Sequence, residues 1–181
     1  IMCPTASYSS DVTGGFLKPE VFERLLPYLP KIDSIDLTGW GEPLMNPYLI
    51  DIIRMARKGE ARGITFTTNA TLLSPSVAFE LVRLGVNALA FSIDSASEET
   101  YQLLHRGGNF SVVVENLKAI SKIRLSKGSA GSAKSQLPYL SAHFLLMKSN
   151  IHEAPLFVEL AKKTGMDEVL FKNLGIVSSR E

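Results

Sequence analysis

Five short apolar runs alternate with stretches of helical period along this chain, and that alternation constrains the fold more than any other feature. The runs are 32–37, 64–68, 88–93, 139–147 and 168–171. Each is brief and rich in Ile, Leu, Val or Phe, as strands of a buried parallel sheet tend to be. The intervening stretches place apolar residues three and four apart. Leu49, Ile52, Ile53 and Ala56 form one face, Ala78, Leu81, Val82 and Gly85 a second, and Phe157, Leu160 and Ala161 a third. Ser74-Pro75 reads as a helix cap and first helical residue, and Pro19 suits the same first position before a helix from Val21 to Leu29. Gly59, Gly85 and Gly165 fall where helices should stop. The unit is strand–helix, five times, behind an extra helix. That is an α/β parallel architecture, either barrel-like or doubly wound.

Composition narrows the partners. The 181 residues, 45% hydrophobic, suffice for one domain with a sizeable core. A formal net charge of +1 with scattered basic residues gives no nucleic-acid footprint and no polybasic membrane signal. No apolar run approaches the roughly 20 residues of a membrane span, and the N-terminus lacks signal-peptide regions. A single cysteine, Cys3, makes no internal disulfide, which fits a reducing cytoplasmic setting. The stretch "SKGSAGSAKS", Ser126 to Ser135, reads as a loop.

Ligands of strand–helix repeat proteins collect at the carboxyl ends of the strands. Here every such end is polar: Thr38 and Glu42; Thr67, Thr68 and Asn69; Ser92, Asp94 and Ser95; Lys148 and Asn150; Lys172 and Asn173. Any one of these is adequately read as the first polar residue of a loop. Asp94-Ser95 also reads as a cap for a helix from Glu98, and Asn69 as a turn residue. Five together define a mouth suited to a ligand bearing hydroxyls, an amine and a carboxylate.

The motifs resemble those of the radical S-adenosylmethionine (radical SAM) enzymes, in order and over nearly the whole chain. "MCP" at Met2–Pro4 is similar to the end of a cluster loop of pattern C-x3-C-x2-C. "GFLKPEVFERLL" resembles the approach to the first helix, and "LTGWGEPLMNP" the glycine–glycine–glutamate motif with Trp40 between Gly39 and Gly41. "FTTNATLL" resembles the Thr-Asn-Gly segment, with Ala70 in place of the usual glycine. "SIDSASEETYQLLHRGGNFSVVVENLKAI" and "HFLLMKSNIHEAPLFVELAKKTGMDEVLFKNL" resemble the fourth to sixth strands. The resemblance implies a partial (βα)6 TIM-like parallel barrel. It also implies that residues 1–181 are a core domain whose first strand and part of the cluster loop precede Ile1, and that relatives continue beyond the C-terminus.

The same resemblance implies a site. Glu42 accepts hydrogen bonds from the α-amino group of S-adenosylmethionine, a charge-assisted contact, and Gly39 and Gly41 let the backbone approach the cofactor. Thr68 and Asn69 line the methionyl end. Ser92 and Asp94, flanking Ile93, serve the ribose hydroxyls. Arg106 pairs with the cofactor carboxylate or stays a solvated loop charge. Phe171 and Leu174 bound the adenine or belong to the core. Cys3 fits the third ligand of a [4Fe–4S] cluster or is an inert thiol. The implied chemistry is reductive cleavage to a 5′-deoxyadenosyl radical that abstracts a substrate hydrogen, fed by a donor such as flavodoxin or ferredoxin. The implied substrate is a peptide or cofactor precursor. Two other readings stand beside this one: a barrel lyase or aldolase using Lys148 or Lys172 as an imine-forming amine, and a degenerate core that only binds a partner.

Overall fold

The computed structural model describes residues 14–129 and 137–173, with the side chains of 128 and 129 set aside. Five strands, β1 (Ile35–Asp36), β2 (Ile64–Thr68), β3 (Ala88–Ser92), β4 (Tyr139–Leu146) and β5 (Glu168–Asn173), lie in the order β1-β2-β3-β4-β5. Every neighbouring pair is parallel. A doubly wound sheet reverses its strand order at a switch point. Sequential order with right-handed crossovers instead puts every helix on one side, as in a barrel wall. The arrangement is therefore the barrel-like alternative.

The helices are α1 (Pro19–Phe22), α2 (Leu49–Lys58), α3 (Pro75–Arg83), α4 (Glu98–Leu104), α5 (Phe110–Ser129) and α6 (Ala154–Thr164). Burial alternates strictly along β2 and β3. Ile64, Phe66, Leu89, Phe91, Leu140, Ala142 and Phe144 join the core with Ile52, Ile53, Leu81, Val113, Leu117 and Phe157 from the helices. The opposite face carries Thr65, Thr67, Ala90, Ser92 and His143, which are only half-buried. The runs read from the sequence as buried on both faces are thus covered on one face and lined with small or polar residues on the other.

Local chemistry shifted several boundaries. The helix expected from Pro19 to Leu29 is α only to Phe22 and continues as a 3-10 run, Glu23–Lys31. Pro27 and Pro30 lack the N–H that an α-helix needs there. The first strand shrinks to two residues because Asp36 Oδ1 accepts from both the N–H and the hydroxyl of Thr38, at 2.8 and 2.5 Å, and turns the chain. Helix α5 runs through Ser129, past the start of the expected Ser126 loop. Lys127 Nζ donates to the Val82 carbonyl at 2.7 Å and anchors that last turn; residues 130–136 lie outside the described residues. Ser74 caps α3 as expected, accepting from Val77 N–H at 3.3 Å. Helix α4 is capped by Ser97, at 3.2 Å from Thr100 N, not by Asp94 or Ser95.

Gly165 ends α6 with φ +76°. A Cβ there would stand 2.1 Å from Ser121 Oγ. Substituting Gly165→Ala combines left-handed strain of about 1–2 kcal/mol with that clash. Urea unfolding is expected to show a loss of about 2–3 kcal/mol, within the range of strained glycine sites; an unchanged midpoint contradicts the packing described.

Candidate functional site

Beyond β1 the chain passes Gly39 and Gly41, both exposed, where an added Cβ would meet nothing closer than 4.0 Å. Glu42 follows at the start of a 3-10 turn, Pro43–Met45. Its Oε1 accepts from Leu44 N–H at 3.0 Å and from the Thr68 hydroxyl at 2.6 Å, and its Oε2 accepts from Asn69 N–H at 2.8 Å. A carboxylate has about four acceptor positions. Three donors fix the group and leave capacity on Oε2. Glu42 is thus a locked, half-buried anion spanning the ends of β1 and β2.

The ends of β2 and β3 are both backbone outliers. Among the described residues, Ala70 (φ 60°) and Asp94 (φ 61°) adopt left-handed conformations, with Glu60 the remaining non-glycine case. Strain of this kind persists where surroundings over-determine it, and it concentrates at sites. The glycine replaced by Ala70 in the motif is thus explained by a real backbone need. Asn69 Oδ1 accepts from Thr71 N–H and hydroxyl at 2.9 and 2.6 Å, and Asn116 Nδ2 holds the Ala70 carbonyl at 2.9 Å.

Asp94 is 3% exposed. Its Oδ1 accepts from Leu145 N–H at 2.6 Å, and its Oδ2 accepts from the Ser92 hydroxyl at 3.1 Å and lies 3.5 Å from His105 Nε2. His105 stacks on Tyr101 with centroids 4.6 Å apart. Burial, with Asp94 and Glu98 nearby, pushes the Tyr101 hydroxyl above its ordinary pKa. Two residues of the β4–α6 connection hold the Asp94 loop. Asn150 Nδ2 donates to the carbonyls of Asp94 and Leu145, both at 2.8 Å. Glu153 accepts from Ala96 N–H at 2.6 Å, from the Thr100 hydroxyl at 2.7 Å, and from the Ser97 hydroxyl.

Burial of Glu153 favours its protonated form, but the donors at Ala96, Ser97 and Thr100 outweigh it, and the pKa lies below the ordinary value. A carboxylate depressed on folding adds stability above its unfolded pKa of about 4.3 and loses it as pH falls through the folded value. The melting temperature is expected to drop below about pH 4, and the drop should be smaller in Glu153→Gln. Parallel pH curves for the two proteins would contradict this.

The structure gathers the sequence-derived residues into two groups at one end of the sheet. Glu42, Thr68 and Asn69 form the first, and Ser92 and Asp94 the second. Arg106 is exposed and lines, with Asn69, Thr71, Tyr101 and His105, a cavity of about 470 Å³. Cys3 and Leu174 lie outside the described residues. Phe171 lies on the helix-covered face, its ring 5.7 Å from that of Phe144 and 6.4 Å from that of Phe157, and stays 39% exposed at the edge of the core. Lys148 and Lys172 are exposed, whereas an imine-forming lysine is activated by desolvation. Glu153 and His105 were missed by the sequence reading; their partners lie up to 57 residues away and leave no local pattern.

A parallel sheet in sequential strand order, with an acidic anchor, a Ser–Asp pair and an open cavity at its strand ends, has the layout of the βα-barrel folds, whose sites lie at that rim. Residues 1–132 match the family model of the Radical SAM superfamily, and the chain belongs to that superfamily. It is 30% identical over 155 residues to a probable GTP 3′,8-cyclase of Thermoplasma volcanium, covering 84% of this chain and 43% of that protein. It is also 30% identical over 148 residues to a tungsten-containing aldehyde ferredoxin oxidoreductase cofactor-modifying protein of Pyrococcus furiosus, covering 80% and 39%. The chain thus spans less than half the length of these relatives. Its fold matches anSMEcpe with bound AdoMet and Kp18Cys peptide (TM-score 0.73, 16% identity, 100% of this chain and 49% of that one). It also matches Streptococcus suis SuiB bound to precursor peptide SuiA (TM-score 0.70, 16% identity, 90% and 34%).

The residues present fit S-adenosylmethionine, the cofactor of this superfamily: an oriented carboxylate with spare acceptor capacity suits its ammonium, and Arg106 at an open cavity suits its carboxylate. Among the described residues no His, Cys, Asp and Glu group is arranged to hold a metal, and Cys3 lies outside them. No helix among the described residues is long and apolar enough to cross a membrane.

Proposed function

We propose that this chain is the cofactor-binding core of a radical SAM enzyme and that its rim holds S-adenosylmethionine. The observation that carries the reading is Glu42, fixed by Leu44, Thr68 and Asn69 yet retaining acceptor capacity beside the open rim. Glu42 receives the α-amino group, Arg106 the α-carboxylate, and Ser92 with Asp94 the ribose hydroxyls. Gly39 and Gly41 let their amides reach the methionyl end, and Cys3 is a thiolate ligand of the [4Fe–4S] cluster. When bound and reduced by one electron, the cofactor supplies a 5′-deoxyadenosyl radical for hydrogen abstraction.

This chain's own task is positioning. Asp94, held by Leu145 and Asn150, and Glu42, held by three donors, are pre-oriented, so binding does not have to order them. The substrate is a peptide or cofactor precursor, in line with the named relatives, and the electron comes from a flavodoxin- or ferredoxin-like donor. Anaerobic reconstitution with iron and sulfide, on this chain with the sequence that flanks it in its gene, tests the reading. It should release 5′-deoxyadenosine from S-adenosylmethionine under dithionite; a reconstituted cluster without that product overturns it.

A further inference from the structure

The cofactor reading gives His105 no task, yet its ring faces a carboxylate on which that reading depends. Among the described residues, His105 Nε2 is buried, makes no hydrogen bond, and lies 3.5 Å from Asp94 Oδ2. Asp94 is firmly held: Leu145 N–H fixes Oδ1 at 2.6 Å, and Asn150 Nδ2 holds the Asp94 carbonyl at 2.8 Å. The imidazole stands at the C-terminal end of α4, on a residue whose φ of −117° and ψ of 76° already leave the helix. Tyr101, one turn earlier, is the platform beneath it. The two rings stack with centroids 4.6 Å apart and 19° between their planes. Phe110 packs on Tyr101 at 5.4 Å, and Gly108 comes so close that an added Cβ would stand 2.7 Å from Tyr101 Cε1. The stack fixes the plane of the imidazole and presents its Nε2 edge to Asp94.

An ionised carboxylate only accepts, so an Nε2 without its proton would set lone pair against lone pair. With the proton there, closing the gap by about 0.6 Å gives a charge-assisted hydrogen bond of ~2.9 Å. A buried donor left without a partner costs free energy, which favours that closure. Of the roughly four acceptor positions of a carboxylate, Leu145 N–H and the Ser92 hydroxyl take two at Asp94. His105 takes a third. The last is left for a donor from outside the chain.

We propose that His105 is a positioning residue: its Nε2–H donates to Asp94 Oδ2 and leaves the remaining acceptor position of that carboxylate aimed at the ribose of the bound cofactor. The ribose as target rests on the cofactor reading; the His105–Asp94 contact does not. The first measurement is the nitrogen-15 NMR spectrum of the imidazoles before S-adenosylmethionine is added. His105→Gln assigns the signal among the 3 histidines of the chain. Nε2 should carry a proton. In Asp94→Asn, Leu145 N–H keeps the amide oxygen at the Oδ1 position and sets the NH2 against the ring, so the proton should move to Nδ1. A bare Nε2 in the wild type, or a spectrum unchanged in Asp94→Asn, overturns the proposal. The second measurement is anaerobic calorimetry with S-adenosylmethionine. His105→Phe keeps a ring on Tyr101 without a donor, and His105→Gln keeps a donor near the Nε2 position without a ring. The phenylalanine variant should lose affinity tenfold or more, and the glutamine variant should stay within threefold of the wild type. The reverse order, or equal losses, makes the ring mere packing and overturns the proposal. A wild-type protein that binds no S-adenosylmethionine overturns the cofactor reading together with the ribose target, while the imidazole spectrum still decides the His105–Asp94 contact.

Discussion

Glu42→Gln is expected to weaken S-adenosylmethionine binding by about 1.5–3 kcal/mol, roughly ten- to a hundred-and-fiftyfold in Kd. The substitution leaves the shape almost unchanged and removes the negative charge that pairs with the cofactor's ammonium. It also turns one acceptor into a donor. Leu44 N–H and the Thr68 hydroxyl point at one oxygen and Asn69 N–H at the other, so any rotamer of glutamine sets an amide against a donor. A secondary stability loss of about 1 kcal/mol should accompany the binding loss. Calorimetry and urea unfolding separate the two, and an unchanged Kd removes Glu42 from the site.

Glu153→Ala should produce the largest loss of stability, about 3–5 kcal/mol. The carboxylate is 4% exposed and is the acceptor for Ala96 N–H and the hydroxyls of Ser97 and Thr100. Alanine leaves all of these donors facing a cavity, and each buried donor without a partner costs about 1–3 kcal/mol, less than additively. The Ser97 cap of α4 loosens with it, and so does the loop that presents Asp94. The expected signature is a lower unfolding midpoint together with weaker cofactor binding. A change below 1 kcal/mol would show that the Asp94 loop does not depend on this anchor.

The strands and helices were legible because burial imposes a period, and β2 and β3 begin where the apolar runs begin. Ser74 and Gly165 were legible because capping chemistry is local. What distance conceals was not. No pattern near Glu153 announces three donors more than fifty residues earlier, and Phe171 reads the same whether it faces a ligand or Phe144. Two prolines hid the switch from α to 3-10 geometry because the apolar spacing from Phe22 to Leu29 fits either. Glu42, Thr68, Asn69, Ser92 and Asp94 do lie at one end of the sheet, whereas Asn150 is a fully buried brace for Asp94 rather than a group facing the rim.

The most direct measurement compares S-adenosylmethionine with its analogue lacking the α-amino group, each titrated calorimetrically into the wild-type protein and Glu42→Gln under anaerobic conditions. If Glu42 holds the ammonium, the substitution costs the natural cofactor tenfold or more and the desamino analogue less than twofold. Equal losses for both ligands, or no loss for either, would contradict the placement of S-adenosylmethionine on this rim.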